Sequence, residues 1–129
     1  THLPQGLLLD LGTGPGYLPI EIARQSPKIR IVGIDLTRRL IEMGRARAGE
    51  AHLSHRIWFQ AGDAGCIPFR DAAFDMVIST GMLHALKDPV KVIQEMYRVF
   101  NMGVGFCVVC PPSAADRVIA LCGEEGGDQ

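Results

Sequence analysis

The sequence predicts an α/β fold whose mostly parallel sheet is covered by helices on both faces. Three observations support this prediction. Short apolar runs rich in β-branched residues alternate with amphipathic helical segments, glycines cluster where the first run meets a helix, and acidic residues follow the ends of successive runs. The chain has 129 residues, of which 47% are hydrophobic. We therefore expect a single domain over residues 1–129.

The first part of the chain has the pattern of a strand–helix–strand unit. An apolar run over 7–11 is predicted to be a strand, residues 17–25 a helix, and the β-branched run 30–35 a second strand. A second helix is expected to follow, with Thr37 as its N-cap and its end near Gly49.

The central part contributes two further strands and a helix. Residues 56–61 and 74–79 are predicted strands because they are rich in β-branched and aromatic residues. Asp88 and Pro89 are favoured at the N-cap and first position of a helix, so a helix is expected to begin there. Lys91 and Glu95 are predicted to form an exposed pair on that helix.

The C-terminal part is predicted to supply a fifth strand and a short helix. The apolar run 104–110 has the composition of a strand. Residues 113–116 resemble a capping box, so the last helix is expected to start there and to end near Gly123.

The glycines at the first strand-to-helix turn indicate a ligand. Gly12, Gly14 and Gly16 follow the acid Asp10 at every second position. A dinucleotide-binding turn would place its third glycine three residues after the second, and a P-loop would continue with Lys and Ser or Thr. Here Tyr17 follows the last glycine. The spacing therefore favours a nucleotide-like ligand without a phosphate group and disfavours a nicotinamide-dependent dehydrogenase.

Composition excludes few classes but favours some. The net charge of −1 gives no basic field for nucleic acid, and no run approaches the length of a membrane span. We expect a cytoplasmic protein. The cysteines lie among apolar or small residues and are predicted to be buried thiols rather than a redox or metal site. They are Cys66, Cys107, Cys110 and Cys122.

Four motifs in order resemble the class I S-adenosylmethionine-dependent methyltransferases, particularly the ubiquinone and menaquinone biosynthesis group. They are Leu-Leu-Asp-Leu-Gly-Thr-Gly-Pro-Gly at 8–16, Val-Gly-Ile-Asp-Leu at 32–36, Gly-Asp-Ala at 62–64, and Ile-Pro-Phe-Arg-Asp-Ala-Ala-Phe-Asp-Met-Val-Ile-Ser at 67–79, with Leu-His-Ala-Leu and Glu-Met-Tyr-Arg-Val-Phe beyond. The resemblance implies a Rossmann-like three-layer sandwich with strand order 3-2-1-4-5, without the family's usual strands 6 and 7.

The resemblance also implies the cofactor S-adenosyl-L-methionine and roles for individual residues. Asp35 would accept hydrogen bonds from both ribose hydroxyls, although it could instead cap a helix. Asp63 would accept from the adenine amine, although it could be a turn residue, and Leu36 would lie against the adenine. Several further residues complete the implied cofactor site: the turn Gly12, Thr13, Gly14 and Gly16, with Asp10 near the ammonium end, the backbone of Ala64, and Thr80 at the end of strand four.

The sequence contains fewer signals for the methyl acceptor than for the cofactor. The resemblance implies a small-molecule acceptor, and methyl transfer does not require a dedicated acid or base. His84 is a candidate base, but an ordinary helix-face histidine is the favoured interpretation. Strand five would be an apolar edge of the sheet. We therefore expect either a homodimer through that edge and the C-terminal helix, or a cover by that helix over 113–122.

Overall fold

The computed structural model describes residues 6–80, 82–83 and 86–126. Its strands are β1 (Gly6–Leu11), β2 (Ile29–Asp35), β3 (Ile57–Ala61), β4 (Phe74–Thr80) and β5 (Phe100–Val109). Its α-helices are α1 (Tyr17–Gln25), α2 (Arg38–Glu50), α3 (Pro89–Val99) and α4 (Ala115–Gly126). None of the helices in the described ranges is long and apolar enough to cross a membrane.

The strands form one parallel sheet in the order β3-β2-β1-β4-β5. β1 lies at its centre, where Leu9 pairs with Val32 on one side and with Val77 on the other. The predicted strand order is confirmed. All the strand ends that carry predicted site residues consequently lie at one edge of the sheet.

Alternate residues of the central strand pack on opposite faces of the sheet. Leu8 belongs to the core under α1 and α2, which includes Ile20 and Ile41. Leu9 belongs to the core under α3 and α4, which includes Met96 and Val118. Because each strand residue faces the opposite side from its neighbour, one sheet serves two cores. The predicted three-layer sandwich is confirmed.

Two helix N-termini are held differently. Asp88 caps α3 as predicted, and its side chain accepts from the backbone N of Lys91 at 3.3 Å. Thr37 occupies the N-cap position of α2, but its hydroxyl makes no capping hydrogen bond. Instead Asp35 Oδ1 accepts from the Thr37 backbone N at 2.9 Å. Asp35 therefore fixes the backbone at the start of α2, where we predicted that the threonine side chain would stabilise the helix.

The predicted ion pair between Lys91 and Glu95 is wrong. Glu95 pairs with Arg98, with Arg98 Nε to Glu95 Oε2 at 2.7 Å. Both spacings bring side chains together on a helix. Arg98 prevails because its guanidinium also reaches the backbone of the connection between β3 and β4, where Ile67 and Phe69 offer carbonyl oxygens.

Strand β5 begins earlier than the sequence predicts. The predicted strand started at residue 104, but α3 passes directly into β5 at Phe100, which pairs with Phe74. The register then shifts, and Met102 has a positive φ of 61°. Asn101 holds this irregularity, since its Nδ2 donates to Asp75 Oδ1 at 2.7 Å and its Oδ1 accepts from the backbone N of Gly103 at 2.8 Å.

The predicted start and end of the last helix are also wrong. A short 3₁₀ turn over Pro112–Ala114 precedes α4, so Ser113 lies inside that turn and not at an N-cap. The turn is closed by Ala114 N, which donates to the carbonyl of Pro111 at 2.9 Å. The helix continues past Gly123 to Gly126.

Two cysteines are exposed, contrary to the prediction of buried thiols. Cys66 lies in the β3–β4 connection and Cys107 on β5. Cys107 borders an apolar hollow of about 290 Å³ on the α1 side of the sheet, which we call the β5 face. The β5 face is lined by Leu8, Ile22, Met76, Ile78, Gly105, Phe106 and Cys107. Cys110 and Cys122 are half-buried, and burial raises the pKa of the Cys122 thiol.

Candidate functional site

The loops that follow β1, β2, β3 and β4 enclose a cavity of about 350 Å³ at the carboxyl edge of the sheet. We call it the carboxyl-edge cavity. It is lined by Leu11, Gly12, Ile34, Asp35, Leu36, Gly62, Asp63, Ala64, Thr80, Met82, Leu86 and Val92. Ligands of open parallel sheets bind at this edge, so the fold puts the cavity where a site is expected.

Most of the predicted site residues converge on this cavity. Six of them line it: Gly12, Asp35, Leu36, Asp63, Ala64 and Thr80. Four others do not line it: Asp10, near the end of β1, and Thr13, Gly14 and Gly16 in the β1–α1 turn. The candidate base His84 lies outside the described residues.

Sequence reasoning missed the apolar walls of the cavity. Met82 and Leu86 come from the segment after β4, and Val92 comes from α3. Their signal was present but weak. Val92 lies on the buried stripe of an amphipathic helix, and Met82 follows a strand end, where ligand-contacting residues gather in this kind of sheet.

The glycine turn is required by its backbone and its packing. Gly12, Gly14 and Gly16 have φ values of 77°, 58° and 89°, which other residues rarely adopt. A Cβ on Gly12 would come within 2.5 Å of the sulfur of Met82, and one on Gly16 within 2.8 Å of the Phe59 ring. A Cβ on Gly14 would meet nothing within 4 Å. The turn is therefore closely packed at both ends and open in the middle.

Asp35 connects the glycine turn to the next turn along the sheet edge. Its Oδ2 accepts from the backbone N of Gly14 at 2.9 Å, and its Oδ1 accepts from the backbone N of Thr37 at 2.9 Å. Each carboxylate oxygen can accept more than one hydrogen bond. Asp35 can therefore hold both turns and still accept from ligand hydroxyls in the cavity.

Asp63 lies on the neighbouring wall and is fixed by its own turn. Its Oδ1 accepts from the backbone N of Gly65 at 2.8 Å, and its Oδ2 makes no hydrogen bond to another described residue. The backbone N of Gly62 donates to the carbonyl of Asp35 at 3.0 Å, which ties the two acidic positions together. Between them Leu36 is 77% exposed, so an apolar surface stands beside two acceptors.

Asp10 is a buried carboxyl behind the glycine turn. It is fully buried and accepts from Thr13 Oγ1 at 2.8 Å, while its Oδ1 finds no hydrogen-bond partner among the described residues. Burial raises the pKa of Asp10 to about 6, the negative charge of Asp35 also raises it, and the Thr13 hydrogen bond opposes this. An orphaned buried carboxylate oxygen favours a nearby cation or donor supplied by a ligand.

The charge of the cavity limits the ligand. Its described lining contains two carboxylates and no Lys or Arg. Such a site favours ligands with hydroxyl and amine donors, and its described lining offers no positive charge to a pyrophosphate. S-adenosyl-L-methionine carries hydroxyls, an exocyclic amine, an ammonium group and no phosphate, so the residues present fit it.

Comparison with known proteins supports this interpretation. The family model described as a methyltransferase domain matches residues 5–124. A ubiquinone/menaquinone biosynthesis C-methyltransferase UbiE from Geobacter sp. (strain M21) is 37% identical over 99 residues, which are 76% of this chain and 42% of that protein. A demethylmenaquinone methyltransferase from Deinococcus radiodurans is 35% identical over 102 residues, covering 79% and 41%.

A solved structure extends the comparison over nearly the whole chain. It belongs to a Methanococcus maripaludis protein assigned as an S-adenosyl-L-methionine-dependent methyltransferase, and it superposes with a TM-score of 0.79 at 26% identity. The match covers 98% of this chain and 58% of that one. The chain thus spans about two fifths of the length of the curated relatives it matches. It belongs to the class I S-adenosylmethionine-dependent methyltransferase family, and the two curated relatives named above come from that family's ubiquinone and menaquinone group.

Proposed function

We propose that the chain binds S-adenosyl-L-methionine in the carboxyl-edge cavity and transfers its methyl group to a small-molecule acceptor. One observation carries the proposal. Asp35 and Asp63 stand on adjacent walls of an apolar cavity with the exposed Leu36 between them, and the described lining contains no cation. That arrangement suits an adenosine without phosphates.

The proposed contacts are those that the family resemblance implies for these residues, and the positions of the lining groups support them. Asp35 accepts from the ribose hydroxyls, Asp63 Oδ2 accepts from the adenine amine, and Leu36 covers one face of the ring. The backbone of Ala64 reaches a ring nitrogen, and Thr80 lies at the opposite wall. The turn over 12–16, including Thr13, wraps the amino-acid end of the cofactor.

Asp10 is proposed to serve the ammonium end of the cofactor, directly or through water. Its unpartnered Oδ1 supports this role. Because burial raises the pKa of Asp10 to about 6, the carboxyl is ionised in neutral solution and becomes protonated as the pH falls below about 6. Affinity for a cationic group is therefore expected to weaken below pH 6.

The protein's catalytic contribution is proposed to be alignment and exclusion of water. When bound, the cofactor supplies an electrophilic methyl group on a sulfonium. The apolar side chains of Met82, Leu86 and Val92 form the dry part of the cavity wall and restrict the approach to it. Positioning and desolvation of this kind can supply much of the rate enhancement of a displacement reaction.

We propose a quinone-type ring as the acceptor, since the relatives named above are a ubiquinone/menaquinone C-methyltransferase and a demethylmenaquinone methyltransferase. With the ring in its reduced, hydroquinone form, a ring carbon would bond to the methyl carbon as the methyl–sulfur bond breaks; the ring carbon would then lose a proton, and S-adenosylhomocysteine would be the leaving group. The role of His84 as a base for such a proton stays a prediction. So do a single domain over residues 1–129 and a cytoplasmic location.

A second candidate is a cofactor-binding module without activity of its own, completed by another chain. The apolar β5 face favours it, because Cys107 is exposed there and Val109 on the same strand is 51% exposed.

We also propose a homodimer near β5 and α4, where Ile119 is 69% exposed. Val118 of α4 belongs to the same buried cluster that Phe106 of β5 packs against, which supports the alternative of a cover by that helix.

The experiment incubates the chain with methyl-labelled S-adenosyl-L-methionine and reduced demethylated naphthoquinone, and detects the product by mass spectrometry. Labelled methyl on the ring carbon supports the enzyme. Cofactor binding without transfer supports the silent module. Absence of binding by the folded chain contradicts both.

A further inference from the structure

The connection between β3 and β4, residues 62–73, forms one wall of the carboxyl-edge cavity without a helix or strand of its own. We call it the β3–β4 loop. Its residues Gly62, Asp63 and Ala64 line the cavity. A segment without a backbone hydrogen-bond ladder needs other partners to hold one conformation. The positions of Asp63 and Ala64 therefore depend on what holds the rest of this loop.

Arg98 on α3 holds the loop at several points. Its guanidinium donates to the carbonyl of Ile67 at 2.7 Å, to the carbonyl of Phe69 at 2.8 Å and to the carboxylate of Asp71 at 2.9 Å. The carbonyl of Arg98 accepts from the backbone N of Ala72 at 2.8 Å. The rigid fork of an arginine can engage these acceptors together, whereas a lysine has one ammonium group.

Glu95 holds the same loop from one turn earlier on α3. Its Oε1 accepts from the backbone N of Ile67 at 2.8 Å and from Arg98 Nη2 at 3.0 Å, and its Oε2 accepts from Arg98 Nε at 2.7 Å. The hydrogen bond from Arg98 is the main reason that the pKa of Glu95 lies below its ordinary value. The pair stays charged at neutral pH, and it holds Ile67 by both its N–H and its carbonyl.

Ile67 is connected to the cavity residue Asp63 through a short turn that hydrogen bonds hold closed. Three residues separate Asp63 from Ile67. Within that stretch Cys66 N donates to the carbonyl of Asp63 at 3.0 Å, and Gly65 N donates to its Oδ1 at 2.8 Å. A displacement of Ile67 would therefore move the Asp63 carboxylate.

We propose that Glu95 and Arg98 are positioning residues that set the base selectivity of the carboxyl-edge cavity by fixing the β3–β4 loop. This inference rests on the proposed function, since it assumes that Asp63 accepts from the exocyclic amine of the ligand. Neither residue lines the cavity, so both act through Asp63 and Ala64.

The chain contains a matched control in Arg56. Its guanidinium donates to the carbonyls of Ala23 at 2.6 Å and of Ser26 and Ile29 at 3.1 Å each. This is the same chemistry at the amino end of the sheet, away from the cavity. Loss of either Arg56 or Arg98 should lower the thermal stability, but loss of Arg56 should leave ligand selectivity unchanged.

The test compares binding of S-adenosylhomocysteine with S-inosylhomocysteine, in which a carbonyl replaces the exocyclic amine. By calorimetry the wild-type chain should prefer the adenosine form by about tenfold or more, as expected for one hydrogen bond to a charged acceptor. Arg98→Met should reduce the preference to about threefold or less, and Arg98→Lys should restore little of it. Arg56→Met should keep the wild-type preference.

Amide hydrogen exchange tests the same inference without a ligand. The Ile67 amide should exchange about tenfold faster in Arg98→Met and in Glu95→Gln than in wild type, and Arg56→Met should leave it unchanged. If the wild-type chain binds neither ligand, the proposed function fails and this inference fails with it. If it binds and Arg98→Lys keeps the full preference and the full protection of Ile67, only this inference fails.

Discussion

The half of the sheet formed by β1, β2 and β3 and the half formed by β4 and β5 differ in the chemistry of their surfaces. On the side of β1, β2 and β3, Asp35 and Asp63 are bonded to backbone N–H groups and face a cavity whose donors and acceptors specify a ligand. On the side of β4 and β5, the β5 face is apolar and Val109 is half exposed. The first side is a formed site, and the second is a surface whose function depends on what contacts it.

The difference indicates which half of the sheet determines ligand specificity. Turn residues a few positions apart build most of the cofactor side, and the bonds that shape it are local or join adjacent strands, except for those by which Glu95 and Arg98 hold the β3–β4 loop. The β5 side has few polar groups with a fixed direction, so it can accommodate different acceptors or partners. We expect substitutions on the first side to have large and specific effects, and those on the second to have smaller ones.

The largest predicted effect is on stability, from Gly16→Ala. The new Cβ would keep a left-handed φ and come within 3.1 Å of the Cα of Gly44, which is backbone and cannot rotate away. We expect a loss of about 2–5 kcal/mol in the free energy of unfolding, measured by urea denaturation. Gly14→Ala is the control, with about 1–2 kcal/mol, since its Cβ meets nothing. Equal losses for both would show that the turn is not closely packed.

Asp10→Asn should stabilise the chain at neutral pH. The folded-state pKa of Asp10, about 6, lies above its unfolded value, so ionisation above pH 6 disfavours the folded state. The variant should gain up to about 3 kcal/mol at pH 7; the gain should shrink as the pH falls from about 6 to 4 and vanish below about pH 3, where the carboxyl is protonated in both states.

The control for Asp10 is Asp75→Asn. The pKa of Asp75 is lowered, chiefly by the hydrogen bond from the Leu7 backbone, so its ionised form stabilises the fold above its unfolded pKa. This variant should lose stability at pH 7. An Asp10→Asn variant that is destabilised equally at pH 7 and pH 4 would contradict the assignment of Asp10 as a buried, desolvated acid.

Asp35→Asn should lower the affinity for S-adenosylhomocysteine by about 10- to 100-fold. The substitution removes the charge that strengthens hydrogen bonds from ligand hydroxyls and from the backbone N of Gly14. Calorimetry measures the change. Asp75→Asn, a charge-matched change far from the cavity, should leave the affinity within about twofold, so a similar drop in both variants would reveal general loosening of the fold.

The smallest predicted effect concerns the β4–β5 side. If the chain forms a homodimer near β5 and α4, Val109→Lys and Ile119→Glu should shift the sedimentation coefficient from that of two chains to that of one. Trp58→Lys is the control, because Trp58 is 47% exposed on the opposite edge strand, β3. A wild-type chain that sediments as a monomer at high concentration would contradict the proposed dimer.

Local patterns in the sequence, together with the family resemblance that they carry, were sufficient to predict the sheet order and the polar half of the cavity. The glycine spacing and the acids after β2 and β3 are signals carried by neighbouring residues, and Gly12, Asp35 and Asp63 do converge. Contacts between distant segments decided the rest. The start of β5 depends on Asn101 meeting Asp75, and the partner of Glu95 depends on carbonyls in the β3–β4 loop. No periodicity in the sequence reports such contacts.

The most direct measurement is a calorimetric titration of the wild-type chain with S-adenosylhomocysteine. A parallel titration uses reduced nicotinamide adenine dinucleotide, which represents the alternative class of ligand. We predict saturable one-to-one binding of S-adenosylhomocysteine and no heat from the dinucleotide, because the described cavity lining has two carboxylates and no cation for a pyrophosphate. Binding of the dinucleotide in preference, or no binding of S-adenosylhomocysteine by the folded chain, would contradict this prediction.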